Sequence, residues 1–156
     1  MNILLIAGEP SGDLHGAMLL KELPEEFRVW GAGGELCRAE GMELLAHVRD
    51  LSVMGFWEVL PKLLWFKRLE AEIIRQAAAR KPSAAILIDY PGFNLSIAPK
   101  LKALGIPVIY YISPQLWAWK EGRVRKIRRY VDRMITILPF EPDFYKKHGI
   151  YADYVG

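Results

Sequence analysis

Two carboxylates stand where a chain of alternating strands and helices would hold its chemistry. Asp89 closes the apolar run Ala84-Ala85-Ile86-Leu87-Ile88 and is followed by Tyr90-Pro91-Gly92-Phe93-Asn94. Strand ends hold side chains rigidly over a cleft, so an Asp there suits a general base that draws a proton from a hydroxyl. A turn or capping role competes with that reading, but Asn94 is able to cap the next helix and would leave Asp89 available. Glu9 lies in Gly8-Glu9-Pro10-Ser11-Gly12-Asp13, with a further glycine at 16. Glycines at 8 and 12 let backbone approach a ligand, and Ser11 or Asp13 can cap the helix that follows, which leaves Glu9 without a structural duty. A plain capping and turn segment is the alternative. No Gly-Lys-Ser/Thr follows, so this is not a Walker phosphate loop.

Three weaker signals accompany the carboxylates. Gly31-Ala32-Gly33-Gly34 lacks the third glycine of a dinucleotide fingerprint, because position 36 is Leu36. A tight turn presenting amides at Gly33 and Gly34 to a phosphate or a sugar remains open. Ser113-Pro114-Gln115-Leu116-Trp117-Ala118-Trp119-Lys120 places two tryptophans and a lysine in a loop. Trp117 and Trp119 suit sugar stacking or acyl contact, and equally suit packing.

The elements that must position these residues read as an α/β domain. Short apolar runs over 2–7, 27–31, 84–89, 107–112 and 133–138 predict strands. Several are apolar at nearly every position, as strands covered on both faces must be. Longer patterns over 13–23, 57–80, 94–104 and 120–130, with a short one near 141–148, predict helices. In the first, Leu14, Ala17 and Met18 make an imperfect stripe that Lys21 interrupts. Alternation of this kind predicts a Rossmann-like parallel sheet with helices on both faces, with residues 1–156 forming one domain. The chain stops at Tyr154-Val155-Gly156 just after the start of another short strand, where a doubly wound domain would add a closing helix, so a chain cut short is expected.

Composition narrows the class. Hydrophobic residues make up 52% of the chain and charged residues 25%, which excludes a disordered segment. A net charge of +3 is too small to imply a nucleic-acid partner. Cys37 is alone, so no internal disulfide forms, and without a motif partner it reads as a small half-buried residue in preference to a reactive thiol. No run reaches the roughly 18–20 apolar residues of a membrane span. The opening run lacks the basic flank of a signal peptide, so a cytoplasmic location is expected.

Two segments suit a surface of lipid. Residues 53–69 carry more apolar positions than one buried stripe needs, including Met54, Phe56, Trp57, Leu60, Leu64, Trp65 and Phe66. Flanked by Lys62, Lys67 and Arg68, they fit a membrane interface or an acyl chain, with a deeply buried helix as the alternative. In 123–130 the basic residues, Arg125, Arg128 and Arg129 among them, surround the face of Val124 and Ile127. They read either as a solvated surface or as attraction to anionic head groups or a phosphorylated substrate.

Taken in order, these loops resemble the lipid-A-disaccharide synthase family. The matching stretches are Ala7-Gly8-Glu9-Pro10-Ser11-Gly12-Asp13, Gly31-Ala32-Gly33-Gly34 with Gly41-Met42, and Val53-Met54-Gly55-Phe56 with Glu58-Val59-Leu60. They continue through Ile88-Asp89-Tyr90-Pro91-Gly92-Phe93-Asn94, Tyr111-Ile112-Ser113-Pro114 with Trp117-Ala118-Trp119-Lys120, and Ile137-Leu138-Pro139-Phe140-Glu141. The resemblance implies the N-terminal half of a GT-B fold, in which two Rossmann-like domains face each other. It implies transfer of 2,3-diacylglucosamine from its UDP donor to 2,3-diacylglucosamine 1-phosphate, without a metal clamp or cofactor, at the inner face of the bacterial inner membrane. It also implies a C-terminal UDP-binding partner domain. Asp89 matches the family aspartate best suited to be the base, and Glu9 a family glutamate in the cleft. Gly8, Ser11, Gly12, Asp13, Gly33, Gly34, Asn94, Ser113, Trp117, Trp119 and Lys120 become candidate substrate contacts. Where many relatives carry a second Asp this chain has Gly92, which puts the weight on Asp89. The alternatives are another GT-B enzyme, such as a MurG-like transferase or a UDP-sugar epimerase, and a non-catalytic acceptor- or membrane-binding module.

Overall fold

The fold follows from where the apolar runs can hide. In the computed structural model, which describes residues 1–52, 59–114 and 121–156, seven strands form one parallel sheet. They are β1 (Asn2–Ala7), β2 (Arg28–Gly33), β3 (Glu43–His47), β4 (Ala84–Ile88), β5 (Val108–Tyr111), β6 (Arg133–Thr136) and β7 (Ala152–Tyr154). Their order is β3-β2-β1-β4-β5-β6-β7. The chain winds outward from β1 through β2 to β3, crosses back to β4, then winds the other way. Neighbouring β1 and β4 are therefore the point where the winding reverses, with Ala7 in register with Ile88.

Alternate side chains of the central strands serve two layers. Leu4 and Ile6 face one cluster with Ala85, Leu87, Val108 and Tyr110. That side is covered by α4 (Val59–Arg80), α5 (Pro91–Ala103), α6 (Glu121–Tyr130) and α7 (Glu141–Lys147). Ile3, Leu5 and Ala7 face the other cluster with Ile86 and Ile88, beneath α1 (Pro10–Glu22) and α2 (Glu35–Ala39). A short α3 (Val48–Ser52) follows β3 and sends Leu51 into the first cluster. Each fully buried Leu or Ile contributes about 1.5–3 kcal/mol, so the two layers are the main source of stability.

Helix α1 corrects one expectation. Leu14 and Met18 are half exposed, and the buried face is instead Gly12, Asp13, Gly16, Ala17 and Leu20. Small residues let the helix lie close: a Cβ on Gly16 would stand 2.8 Å from Cys37 Sγ. Helices α1 and α5 also start three residues earlier than expected, at Pro10 and Pro91. Proline is at home in the first turn, where its missing N–H has no partner to lose.

Candidate active site at the reversal of the sheet

Ligands of open parallel sheets bind beyond the carboxyl ends of the strands, in the crevice where the winding reverses. Here that crevice is bounded by Gly8 and Glu9 after β1 and by Asp89 and Tyr90 after β4. The two predicted catalytic carboxylates therefore converge from segments eighty residues apart in sequence.

Asp89 is held in a costly conformation. Asp89 and Tyr90 both take the left-handed region, with φ of 42° and 44°, and Ile112 at the end of neighbouring β5 does so at 64°. Such residues cost on the order of 1–3 kcal/mol each and persist only where the surroundings enforce them. The enforcement is visible. Asn94 Nδ2 donates to the carbonyls of Ile88 (3.2 Å) and Asp89 (2.8 Å), and the buried Tyr110 hydroxyl donates to the Asp89 carbonyl at 2.5 Å. From the other side, Gly8 admits the Tyr90 ring, which a Cβ at position 8 would penetrate. The Tyr90 hydroxyl reaches the Leu51 carbonyl at 3.2 Å.

The electrostatics favour a proton acceptor. Burial raises the pKa of Asp89 above the usual carboxylate range, and the charges of Glu9 and Glu141 add to it, against a backbone hydrogen bond from Tyr90. Glu141 is a site residue that strand-end reasoning passed over. It is buried at the start of α7, and its Oε2 accepts from Leu138 N at 3.1 Å. Its place in the motif Leu138-Pro139-Phe140-Glu141 was the available signal. Beside it, Ser113 is buried and shares a 2.5 Å hydrogen bond with Tyr145, whose phenol burial pushes up to about 12.

Replacing Glu9 with Gln tests this arrangement. The substitution removes a like charge facing Asp89 and so lowers its pKa. The acidic limb of kcat/KM, where a base is lost to protonation, is expected to move to lower pH in a full-length enzyme carrying the substitution. An unmoved limb would remove Glu9 from the electrostatics of Asp89.

Other candidates have different duties. Asp13 caps α2 rather than α1. It is buried, and its carboxylate accepts from the amides of Gly34 (2.7 Å), Leu36 (3.1 Å) and Cys37 (3.0 Å). Its observed duty is to hold these three donors. Gly34 is fixed by this carboxylate, which a Cβ would strike. Gly12 packs on Ala7, and Gly33 lies against Cys37. Asn94 sits inside α5 and is not its cap; its buried Oδ1 has no partner among the described residues. Ser11 is exposed at the cleft mouth beside Glu9. Of the surface set, Leu64 is 55% exposed, Trp65 and Phe66 pack partly against the core, and Arg125, Arg128 and Arg129 are exposed. Met54, Phe56, Trp57, Trp117, Trp119 and Lys120, and the side chain of Leu60, lie outside the described residues. Among the described residues no helix is long and apolar enough to cross a membrane.

This arrangement of sheet and crevice defines the Rossmann-like half of a GT-B architecture. The same fold occurs in the UDP-GlcNAc 2-epimerase of Neisseria meningitidis, solved bound to UDP-GlcNAc. The TM-score is 0.70 at 11% identity, over 100% of this chain and 46% of that one. A UDP-N-acetylglucosamine 2-epimerase from Listeria monocytogenes, so described provisionally, gives 0.68 over 96% and 42%. At such identities the likeness speaks for the fold alone. The chain belongs to the lipid-A-disaccharide synthetase family, whose sequence model matches residues 3–156. It is 52% identical to the lipid-A-disaccharide synthase of Myxococcus xanthus over 99% of its own length and 41% of that protein. It is 50% identical to that of Anaeromyxobacter sp. strain K over the same shares, and 48% identical to that of Acidobacterium capsulatum. The chain thus spans about two fifths of the length of the curated relatives it matches.

Proposed function

We propose that the chain is the acceptor-side half of an inverting glycosyltransferase of lipid A biosynthesis. In this reading Asp89 accepts the proton of the acceptor 6-hydroxyl as that oxygen attacks the anomeric carbon of UDP-2,3-diacylglucosamine. UDP leaves with the electron pair of the broken bond. With 2,3-diacylglucosamine 1-phosphate as acceptor, the product is the β-1,6-linked disaccharide 1-phosphate. The observation that carries the reading is the half-buried Asp89 carboxylate at the sheet reversal, its proton affinity raised by burial and by two neighbouring acids. Family membership supports this choice of substrates.

The relatives' additional length would hold the UDP-gripping domain that faces this crevice. The exposed Leu63 and Leu64 of α4 and the exposed cations of α6 support a peripheral position on the cytoplasmic face of an anionic inner membrane. A chimera tests the proposal. The 156 residues would replace the matching part of the Myxococcus xanthus enzyme, and disaccharide would be followed with labelled UDP donor. Product from the chimera and none from the 156-residue chain alone is the expected result. A folded but inactive chimera would overturn the transfer reading, and turnover by the short chain alone would overturn the division between halves.

A further inference from the structure

The helical layer over β4, β5 and β6 contains a second cleft, between α5 and α6, adjoining the strand-end crevice. It encloses about 570 Å³, with Gly92 on one wall and Arg123, Arg125 and Lys126 on the other. The rotation of α6 explains why cations line it. Val124 and Ile127 are buried against the sheet, which turns Arg123 and Lys126, three residues apart, to the flank facing α5. Gly92 leaves the opposite wall open, since a Cβ there would meet no atom of the described residues within 4 Å.

These cations differ from several elsewhere in the chain that are held by acids. Arg75 and Arg80 pair with Glu72 and Glu43, Lys102 with Asp132, and Arg133 with Asp153. The nearby buried carboxylate of Glu70 is neutralised by Lys67 and Lys100. Among the described residues, Arg123, Arg125 and Lys126 have no acidic partner. Three uncompensated cations around one cleft favour a dianion, which a guanidinium binds through paired hydrogen bonds. The cleft also communicates with the site. Arg123 is close enough to act electrostatically on Tyr110, whose hydroxyl donates to the Asp89 carbonyl.

We propose that the α5–α6 cleft is a phosphate subsite that seats the phosphomonoester of the sugar acceptor, with Arg123 and Lys126 as its principal contacts. The identity of the phosphate's carrier rests on the transfer reading above; the cleft's preference for a phosphate dianion does not. The test titrates the ¹⁵N-labelled 156-residue chain with inorganic phosphate, N-acetylglucosamine 1-phosphate and unphosphorylated N-acetylglucosamine. Both phosphates are expected to shift the amides of Gly92, Gly122 and Arg123, and the plain sugar to leave them in place. Joint Arg123→Gln and Lys126→Gln substitution is expected to weaken phosphate binding at least tenfold, and Arg28→Gln at the amino end of β2 to leave it unchanged. Equal binding by the double variant, or shifts spread evenly over all exposed cations, overturns the subsite. Anionic phosphatidylglycerol vesicles form the last arm. If the double variant loses vesicle binding while the sugar phosphate leaves the cleft unshifted, the cleft is a lipid contact and the proposal fails. A chimera whose acceptor KM is unaffected by the two substitutions sinks the subsite alone. A chimera that transfers no sugar, with phosphate still bound in the cleft, sinks only the transfer reading.

Discussion

Asp89→Asn, placed in a full-length enzyme, is expected to lower kcat by about 10²–10⁴-fold, the usual worth of a positioned general base. The substitution keeps size and shape, and Asn tolerates the left-handed region that position 89 occupies. The bonds that fix the strand end go to the backbone carbonyl of residue 89 and survive the change. A lost rate would therefore report lost proton transfer rather than lost structure. Stability should move the opposite way. Burial and two acidic neighbours raise the folded pKa of Asp89, so the native state resists its ionisation. At neutral pH the ionised group costs stability, and that cost disappears as pH falls through the raised pKa. Thermal unfolding of the isolated chain at pH 7 should show the Asn variant equal to the parent or slightly higher. Near-normal turnover would remove Asp89 from the role of base.

Asp13→Ala should produce the largest loss of stability. It removes a buried carboxylate and leaves the amides of Gly34, Leu36 and Cys37 without their acceptor. Orphaned buried donors cost about 1–3 kcal/mol each, less what relaxation recovers, so roughly 3–5 kcal/mol is expected. For a domain of this size that is a fall in Tm of roughly 6–20 °C. The effect should depend on pH. Burial alone would raise the pKa of Asp13, but the hydrogen bonds from Cys37, Gly34 and Leu36 outweigh it and hold the pKa below its ordinary value. The ionised carboxylate then stabilises the fold above about pH 4, the value for an unfolded Asp, and this contribution is lost as pH falls through the folded pKa. The gap between variant and parent should accordingly narrow in acid. A gap of under 1 kcal/mol at pH 7, by urea unfolding, would show that α2 does not need this cap.

Much of the fold was legible because apolar strands covered on both faces announce themselves. β1, β4, β5 and β6 stand within a residue or two of their expected positions. The stretch from Glu35 to Ser52 was not read as α2, β3 and α3, because these elements are five residues each and β3 is an edge strand with polar ends. The early starts of α1 and α5 were available in Pro10 and Pro91. In the site, Asp89 and Glu9 could be picked out because each ends or follows a strong strand. The duty of Asp13 could not, since its partners lie more than twenty residues downstream and nothing local distinguishes this Asp from a helix cap. The same holds for Asn94, which looks like a cap and instead ties the end of β4 from inside α5.

The distribution of charge on α6 bears on kinetics as well as on binding. A net charge of only +3 conceals an uneven placement of cations along the chain. Arg123, Arg125, Lys126, Arg128 and Arg129 crowd seven positions of one helix, while several cations elsewhere are paired with a neighbouring acid. In the field of an anionic surface such a molecule turns before it touches, arriving with its α6 flank, and the strand-end crevice beside it, already facing the source of substrate. That torque reaches about one screening length, ~10 Å at 0.1 M salt. Association rates should therefore fall steeply with ionic strength, even under conditions where the bound state is held mainly by apolar contact.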